Sequence, residues 1–232
     1  MDRFHFPPWV NTFTLLVIGG VLAGGAYAGG LLFFGTLPEV MYVGYQPTQP
    51  VPFSHKLHAG ELKMDCRYCH YTVDQAAHAA VPATSTCGNC HNAQKTPDGA
   101  LAKTVVHPDS PKLQPIRNSL ATGEPVLWEK IHDLADYVYF NHAAHVNKGV
   151  GCVECHGRID RMEVVHKAES LAMSWCLDCH RNPEPHLRPL DQITNMDWDP
   201  EETSEQSREE IGRLVREQLD VHPNTNCTTC HR

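Results

Sequence analysis

The sequence predicts a mostly α-helical and irregular fold. One membrane-spanning helix lies at the amino end, and short helices and loops follow, around a core that protein side chains alone do not supply. Three observations predict it. From Phe4 to Pro38 there is no Asp, Glu, Lys or Arg. The pattern C-x-x-C-H then occurs five times and uses all 10 cysteines. The chain is 41% hydrophobic, but much of that stock sits in the first forty residues, and 17 prolines are spread along the whole. The remainder could not bury much protein core by itself.

The apolar run from Asn11 to Phe34 has 24 residues, about 36 Å as a helix, against a hydrocarbon core of roughly 30 Å. Ala26-Tyr27-Ala28 resembles a signal-peptide cleavage site, but the run continues past it through Leu31, Leu32, Phe33 and Phe34. A retained anchor is therefore expected. Gly20 with Gly24, and Gly25 with Gly29, have the spacing that admits a second helix closely.

The five motifs begin at Cys66, Cys87, Cys152, Cys176 and Cys227, with second thiols at Cys69, Cys90, Cys155, Cys179 and Cys230. A zinc site or a disulfide has no use for a histidine directly after each pair. Histidine is 16 of 232 residues, so five such placements by chance come to about one in a million. The pattern is that of covalent c-type haem attachment: the thiols become thioethers and the adjacent histidine binds iron. The sequence thus predicts five covalently bound haem c groups, with His70, His91, His156, His180 and His231 as proximal ligands. The second part of the fold becomes a haem-cored multihaem cytochrome c domain. Haem attachment by this chemistry takes place outside the cytoplasm. That predicts a single-pass protein of the cytoplasmic membrane, with its amino end in the cytoplasm and its haem domain on the periplasmic side. Arg3 is the only positive-inside signal. The formal net charge of -8 argues against nucleic acid and favours docking to a basic protein patch.

An internal repeat runs through the haem part. Phe53-Ser54-His55-Lys56-Leu57-His58 precedes the first motif, and Phe140-Asn141-His142-Ala143-Ala144-His145 precedes the third; both read F-x-H-x-x-H. The histidines repeat at 87 residues and the motifs at 86 and 89. The expected organisation is an anchor segment at 1–38, a two-haem unit at 39–96, a Pro/Gly/Ser-rich linker at 97–127, and a second two-haem unit with the fifth haem at 128–232. His55, His58, His142 and His145 are the expected distal iron ligands; i, i+3 spacing puts each pair on one side of a short helix. Met173 and His132 are weaker candidates, with core packing as the competing role. Asp199 and Pro200 predict a helix over 200–219 whose face of Ile211, Leu214, Val215 and Leu219 covers the last haem.

F-x-H-x-x-H ahead of C-x-x-C-H is similar to the class III multihaem cytochromes of the c3 and c7 type. The anchor, the five motifs and the stretches PVLWEKIHDLADYVYFNHAAHV and LAMSWCLDCHRNPEP together resemble the pentahaem cytochrome subunit of alternative complex III, a quinol:electron-acceptor oxidoreductase. The resemblance implies an electron-transfer subunit that is not catalytic alone. Its partners would be integral membrane and iron–sulfur subunits, with a periplasmic monohaem cytochrome c or copper protein as acceptor. It also lends weight to Met173 and His132. The competing identities are a cytochrome subunit of another molybdopterin/iron–sulfur oxidoreductase, a membrane-anchored tetrahaem quinol dehydrogenase, a pentahaem nitrite reductase and a haem-stapled scaffold. The tetrahaem family has a methionine ligand soon after its first motif, where Tyr71 and Thr72 stand here; the nitrite reductase replaces one motif histidine by lysine, and none is replaced here.

Overall fold

The computed structural model describes residues 5–35, 42–92, 105–203 and 205–231. Contacts divide the chain into two compact units, Met1–Val43 and Gly44–Arg232.

The first unit is built on helix α1, Trp9–Gly35, 27 residues without a charged side chain. The large apolar residues along it are exposed from Trp9 to Phe34, apart from the half-buried Val10. It is long and apolar enough to cross a membrane. A Cβ added at Gly20, Gly24, Gly25 or Gly29 would meet nothing within 4 Å, so the small-residue stripe is open.

The second unit consists of short helices joined by irregular chain. The described residues contain no strand; Val138 with His231 and Val150 with Leu187 form isolated bridges. A six-residue π-helix at Lys56–Glu61 precedes α2, Cys66–Cys69, which Asp65 caps by accepting from the Arg67 amide at 2.8 Å. Helix α3 is Thr84–His91. Helix α4, Gln114–Thr122, lies inside the stretch expected to be a linker. Its start carries Pro115, Ile116 and Ser119 are buried, and Gly123 ends it at φ 79°. Helices α5, His142–Val146, and α6, Cys152–His156, hold the second F-x-H-x-x-H and the third motif; α7 is Met173–Arg181.

The two histidine helices dock reciprocally. The Lys56 amide donates to the Met162 carbonyl at 3.0 Å, and Ser54 Oγ donates to Glu163 Oε2 at 2.9 Å, so the first lies on the chain following the third motif. Gly60 makes this possible, because a Cβ there would overlap the Asp160 carbonyl. The His142 and Ala143 amides donate to the carbonyls of Ala77 and Ala76, and Asn147 Nδ2 to that of Asp74, so the second lies on the chain following the first motif.

The helix expected over 200–219 is two. Helix α8, Pro200–Thr203, follows Asp199, whose Oδ1 accepts from the Glu201 amide at 3.1 Å; helix α9, Arg208–Gln218, starts afresh. Ser207 and Glu210 form a reciprocal capping box there, and that second cap is the reason for the break. The apolar face is also placed differently. Ile211, Val215 and Leu219 pack with Val150, Leu187 and Val221 in the protein's own small core, while Leu214 is 43% exposed. Gly212 lets α9 approach closely, since a Cβ there would overlap the Glu184 carbonyl.

Beside this core lies a charged cluster. The fully buried Arg188 donates to Glu154 Oε1 at 2.6 Å and to the Asn195 carbonyl at 3.1 Å, and stacks on Trp198 at 4.9 Å. His186 Nδ1 meets the other Glu154 oxygen at 3.0 Å. Burial alone would raise the Glu154 carboxyl, but the His186 hydrogen bond and the Arg188 charge outweigh it and hold it below its usual range. The same hydrogen bond raises His186 above its ordinary value, against burial.

Two outcomes are expected. Ser207→Ala removes one side of the capping box and should cost about 1 kcal/mol in thermal or denaturant unfolding of the full chain. The raised His186 contributes stability fully below its unfolded pKa of about 6.5, and that contribution is lost as pH rises through the folded value. The melting-temperature gap between the wild type and His186→Asn should therefore narrow as pH rises from about 5 to about 9, and a constant gap would show the pair to be energetically silent.

Candidate functional site

Each motif's two cysteines lie on a short helix; His91, His156 and His180 sit in the last turn of theirs, and His70 and His231 directly follow theirs. None of the ten cysteines is paired in a disulfide. Burial and neighbouring acidic or thiol groups keep several of them protonated: Cys155 is pushed up to about 12 and Cys179 to about 11. The Cys66 thiol is raised by a hydrogen bond to Cys152, so the first and third motifs lie side by side. Two further hydrogen bonds tie the same pair together. Thr194 Oγ1 donates to Asp65 Oδ2 at 2.8 Å, and the carbonyl of the adjoining Ile193 takes the Cys152 amide at 3.1 Å. Asn89 Nδ2 donates to the Tyr68 hydroxyl at 3.0 Å, linking the first and second motifs.

The imidazoles are held in one consistent manner. A carbonyl oxygen only accepts, so a ring nitrogen bonded to one must carry the proton. Nδ1 donates to a backbone carbonyl in His58 (Ser54, 2.8 Å), His70 (Ala80, 2.9 Å) and His91 (Val106, 2.9 Å). It does so again in His142 (Ala77, 3.0 Å), His145 (Asn141, 2.7 Å), His180 (Asn224, 2.7 Å) and His231 (Tyr137, 3.3 Å). Each bond fixes the tautomer and leaves Nε2 as a bare lone pair, the arrangement a metal-binding histidine needs.

The duplicated histidine pairs superpose in kind. Phe53 lies edge-on to His55 at 4.8 Å and 87°, and stacks on His58 at 4.4 Å and 24°. Phe140 does the same to His142 at 4.7 Å and 86°, and to His145 at 4.5 Å and 29°. Ser54 Oγ and Asn141 Oδ1 each accept from the amide three residues on. The second histidine of each pair then faces a motif histidine: His58 and His91 have ring centres 6.3 Å apart, and His145 and His180 6.1 Å. Two imidazoles binding one metal ion from opposite sides, with nitrogens at about 2 Å, have ring centres about 6 Å apart. These residues fit a six-coordinate haem iron.

The remaining candidates are placed less symmetrically. Burial, with His70 and His58 nearby, lowers His55 to about 4, and its Nδ1 is buried without a partner. Burial also lowers His142. His156 falls to about 3 through burial and the fields of four other imidazoles, the neutral state that iron requires. His132 packs edge-on to His156 at 4.4 Å, closer than a shared metal would allow; burial lowers it to about 4, and its Nε2 is buried without a partner. Met173 opens α7 with 65% exposure, so it is not the core residue that the competing role required. His222 turns Nε2 to Asp220 at 2.8 Å. Among the described residues no group of three or more His, Cys, Asp or Glu is gathered closely enough to hold a metal ion. The sequence held no signal for the carbonyl acceptors, which are backbone atoms, nor for the buried Glu154–Arg188 pair.

Comparison with known proteins matches two segments. Residues 37–117 match the class III cytochrome C family, and residues 138–232 match cytochrome c7 and related cytochrome c. The chain is also 32% identical over 127 residues to the "Menaquinone reductase, multiheme cytochrome c subunit" of Nitratidesulfovibrio vulgaris strain Hildenborough. That alignment covers 54% of this chain, and the chain spans about half, 53%, of that relative. With these matches and the paired imidazoles, residues 37–117 and 138–232 are segments of the class III and cytochrome c7 kinds, families whose members carry covalently bound haem c.

Proposed function

We propose that the chain is a pentahaem electron-transfer subunit of a membrane quinol:electron-acceptor oxidoreductase of the alternative complex III type. The observation that carries this reading is the pairing of His58 with His91 and of His145 with His180 at 6.3 and 6.1 Å, with every Nε2 free. Filled axial positions suit electron carriage; an open one suits chemistry on a small molecule. Haem bound at the five motifs supplies reversible one-electron chemistry. The chain's own part is to hold the thioethers, fix each imidazole tautomer and exclude water from the His156 region.

In this reading the haem part is two two-haem units with a fifth haem appended. Helix α1 is a retained anchor, amino end in the cytoplasm, that seats the protein beside integral membrane and iron–sulfur partners. Electrons taken from quinol by such a partner leave to a periplasmic monohaem cytochrome c or copper protein. The likeness to a menaquinone reductase subunit favours a second reading, in which the same cytochrome delivers electrons toward a quinone-reducing partner within another iron–sulfur oxidoreductase. Proteins copurifying in mild detergent, and the direction of electron flow with menaquinol or menaquinone, separate the two.

The purified full chain should have the mass of the polypeptide plus five haems and a low-spin visible spectrum; a mass with fewer haems, or a large high-spin fraction in the wild type, overturns the pentahaem carrier. His58→Ala should leave the haem count unchanged and convert one haem to a high-spin form, restored toward low spin by added imidazole.

A further inference from the structure

The five attachment sites are tied to one another in pairs, and the ties do not follow sequence order. The Tyr68 hydroxyl, inside the first motif, accepts from Asn89, inside the second, at 3.0 Å, and His58, ahead of the first, faces His91 of the second. The first motif joins the third through one dipeptide. Thr194 Oγ1 donates to Asp65, the cap of α2, while the Ile193 carbonyl takes the Cys152 amide, and the Cys66 and Cys152 thiols hydrogen-bond. The third joins the fourth: Glu154, between Cys152 and Cys155, holds His186 and Arg188 from the chain that leaves the fourth. The Arg188 amide also donates to the Gly149 carbonyl at 2.8 Å, and His145, ahead of the third, faces His180. The fourth joins the fifth, since His180 Nδ1 donates at 2.7 Å to the carbonyl of Asn224, three residues before Cys227.

Exposure agrees with these ties. Cys90 and Cys227 are the exposed motif cysteines, and the other eight are half-buried. They belong to the second and fifth motifs, each of which is tied to one neighbour. Among the described residues α3 hydrogen-bonds outward to Tyr68, Val106 and Ser119, and to no residue of the three later motifs. The exchanged docking of the histidine helices points the same way. Each rests on the chain that follows the leading motif of the other copy, so the copies meet through the first and third motifs.

We propose that the attachment sites form one unbranched line in the spatial order second, first, third, fourth, fifth. The second and fifth sites are then its terminals, and every electron passing between the halves crosses from the first to the third. The line rests on the pentahaem reading above and deepens it. Each step along it is a one-electron exchange, one iron oxidised as its neighbour is reduced, with no proton or further reactant.

The test uses the fully oxidised holoprotein, with haem load checked by the mass of each motif peptide. His58→Ala opens the second site and His145→Ala the fourth, and each gives one high-spin iron. That iron speeds the electron-spin relaxation of its immediate neighbours, an effect that falls steeply with distance. Power saturation of the low-spin signals in frozen solution should show one faster-relaxing neighbour for His58→Ala and two for His145→Ala. Two or more for His58→Ala, or one for His145→Ala, overturn the line. A kinetic arm is independent of this. A photo-excitable ruthenium complex on Ser85→Cys, at an exposed position beside the second motif, injects one electron. Its arrival at the fourth site is read from the high-spin band of an added His145→Ala. Removing the first site by Cys66→Ala with Cys69→Ala, the other four sites remaining loaded, should slow that arrival by at least about tenfold. An unchanged arrival overturns the line, because the second site then reaches the third directly. A wild-type motif peptide without its haem sinks the pentahaem reading instead, whatever the relaxation shows.

Discussion

The hydrogen bond from imidazole Nδ1 to a main-chain carbonyl is the constraint on which the rest of the second unit depends. Seven histidines make it, on six different stretches of chain, since His142 and His145 share α5. A histidine free to rotate would present either nitrogen to a metal and would pay rotamer entropy to do so. Here the proton is already assigned and the lone pair already aimed. His58 and His145 use the carbonyl four residues back, but for the other five rings the carbonyl must be brought in by a loop of the right length. That explains why so much of the chain is irregular yet held by many cross-chain backbone bonds.

The protein core is correspondingly small. Leu187, Val215 and Val221 form its buried centre, with Val150, Ile211 and Leu219 against them. This core sits at one place and does not run through the unit. Elsewhere large apolar side chains such as Tyr68, Tyr71, Val81 and Tyr139 stand partly or largely exposed. Flat porphyrin faces are the natural cover for surface of this kind, and the polypeptide's few dry contacts are spent on holding α9 and the Arg188 cluster in register.

What was legible in the sequence was whatever chemistry ties to fixed spacing. Thioether attachment demands C-x-x-C-H, so the five motifs and the duplicated F-x-H-x-x-H stand out in the sequence, and the apolar α1 emerged within two residues of its expected ends. Tertiary choices were less legible. The break between α8 and α9 was written in Ser207 and Glu210, but the Asp199 cap upstream matched the same pattern and masked it. The burial of Lys167 has no local signature, because Val-Val-His-Lys-Ala reads equally well as a surface strip. The helix in the 97–127 stretch hid behind prolines that elsewhere mark loops and here open a helix.

The exchange of docking sites between the two histidine helices has a consequence for biosynthesis. The helix of the first copy rests on residues 159–163, about a hundred positions further along the chain, while the helix of the second rests on residues near 74–77. During synthesis the earlier helix emerges long before its seat exists. The first attachment sites are therefore presented to the haem-ligation machinery on an unclosed polypeptide. Only when the later copy arrives can both halves lock, each completing the other, so that closure reports that the whole array has been delivered.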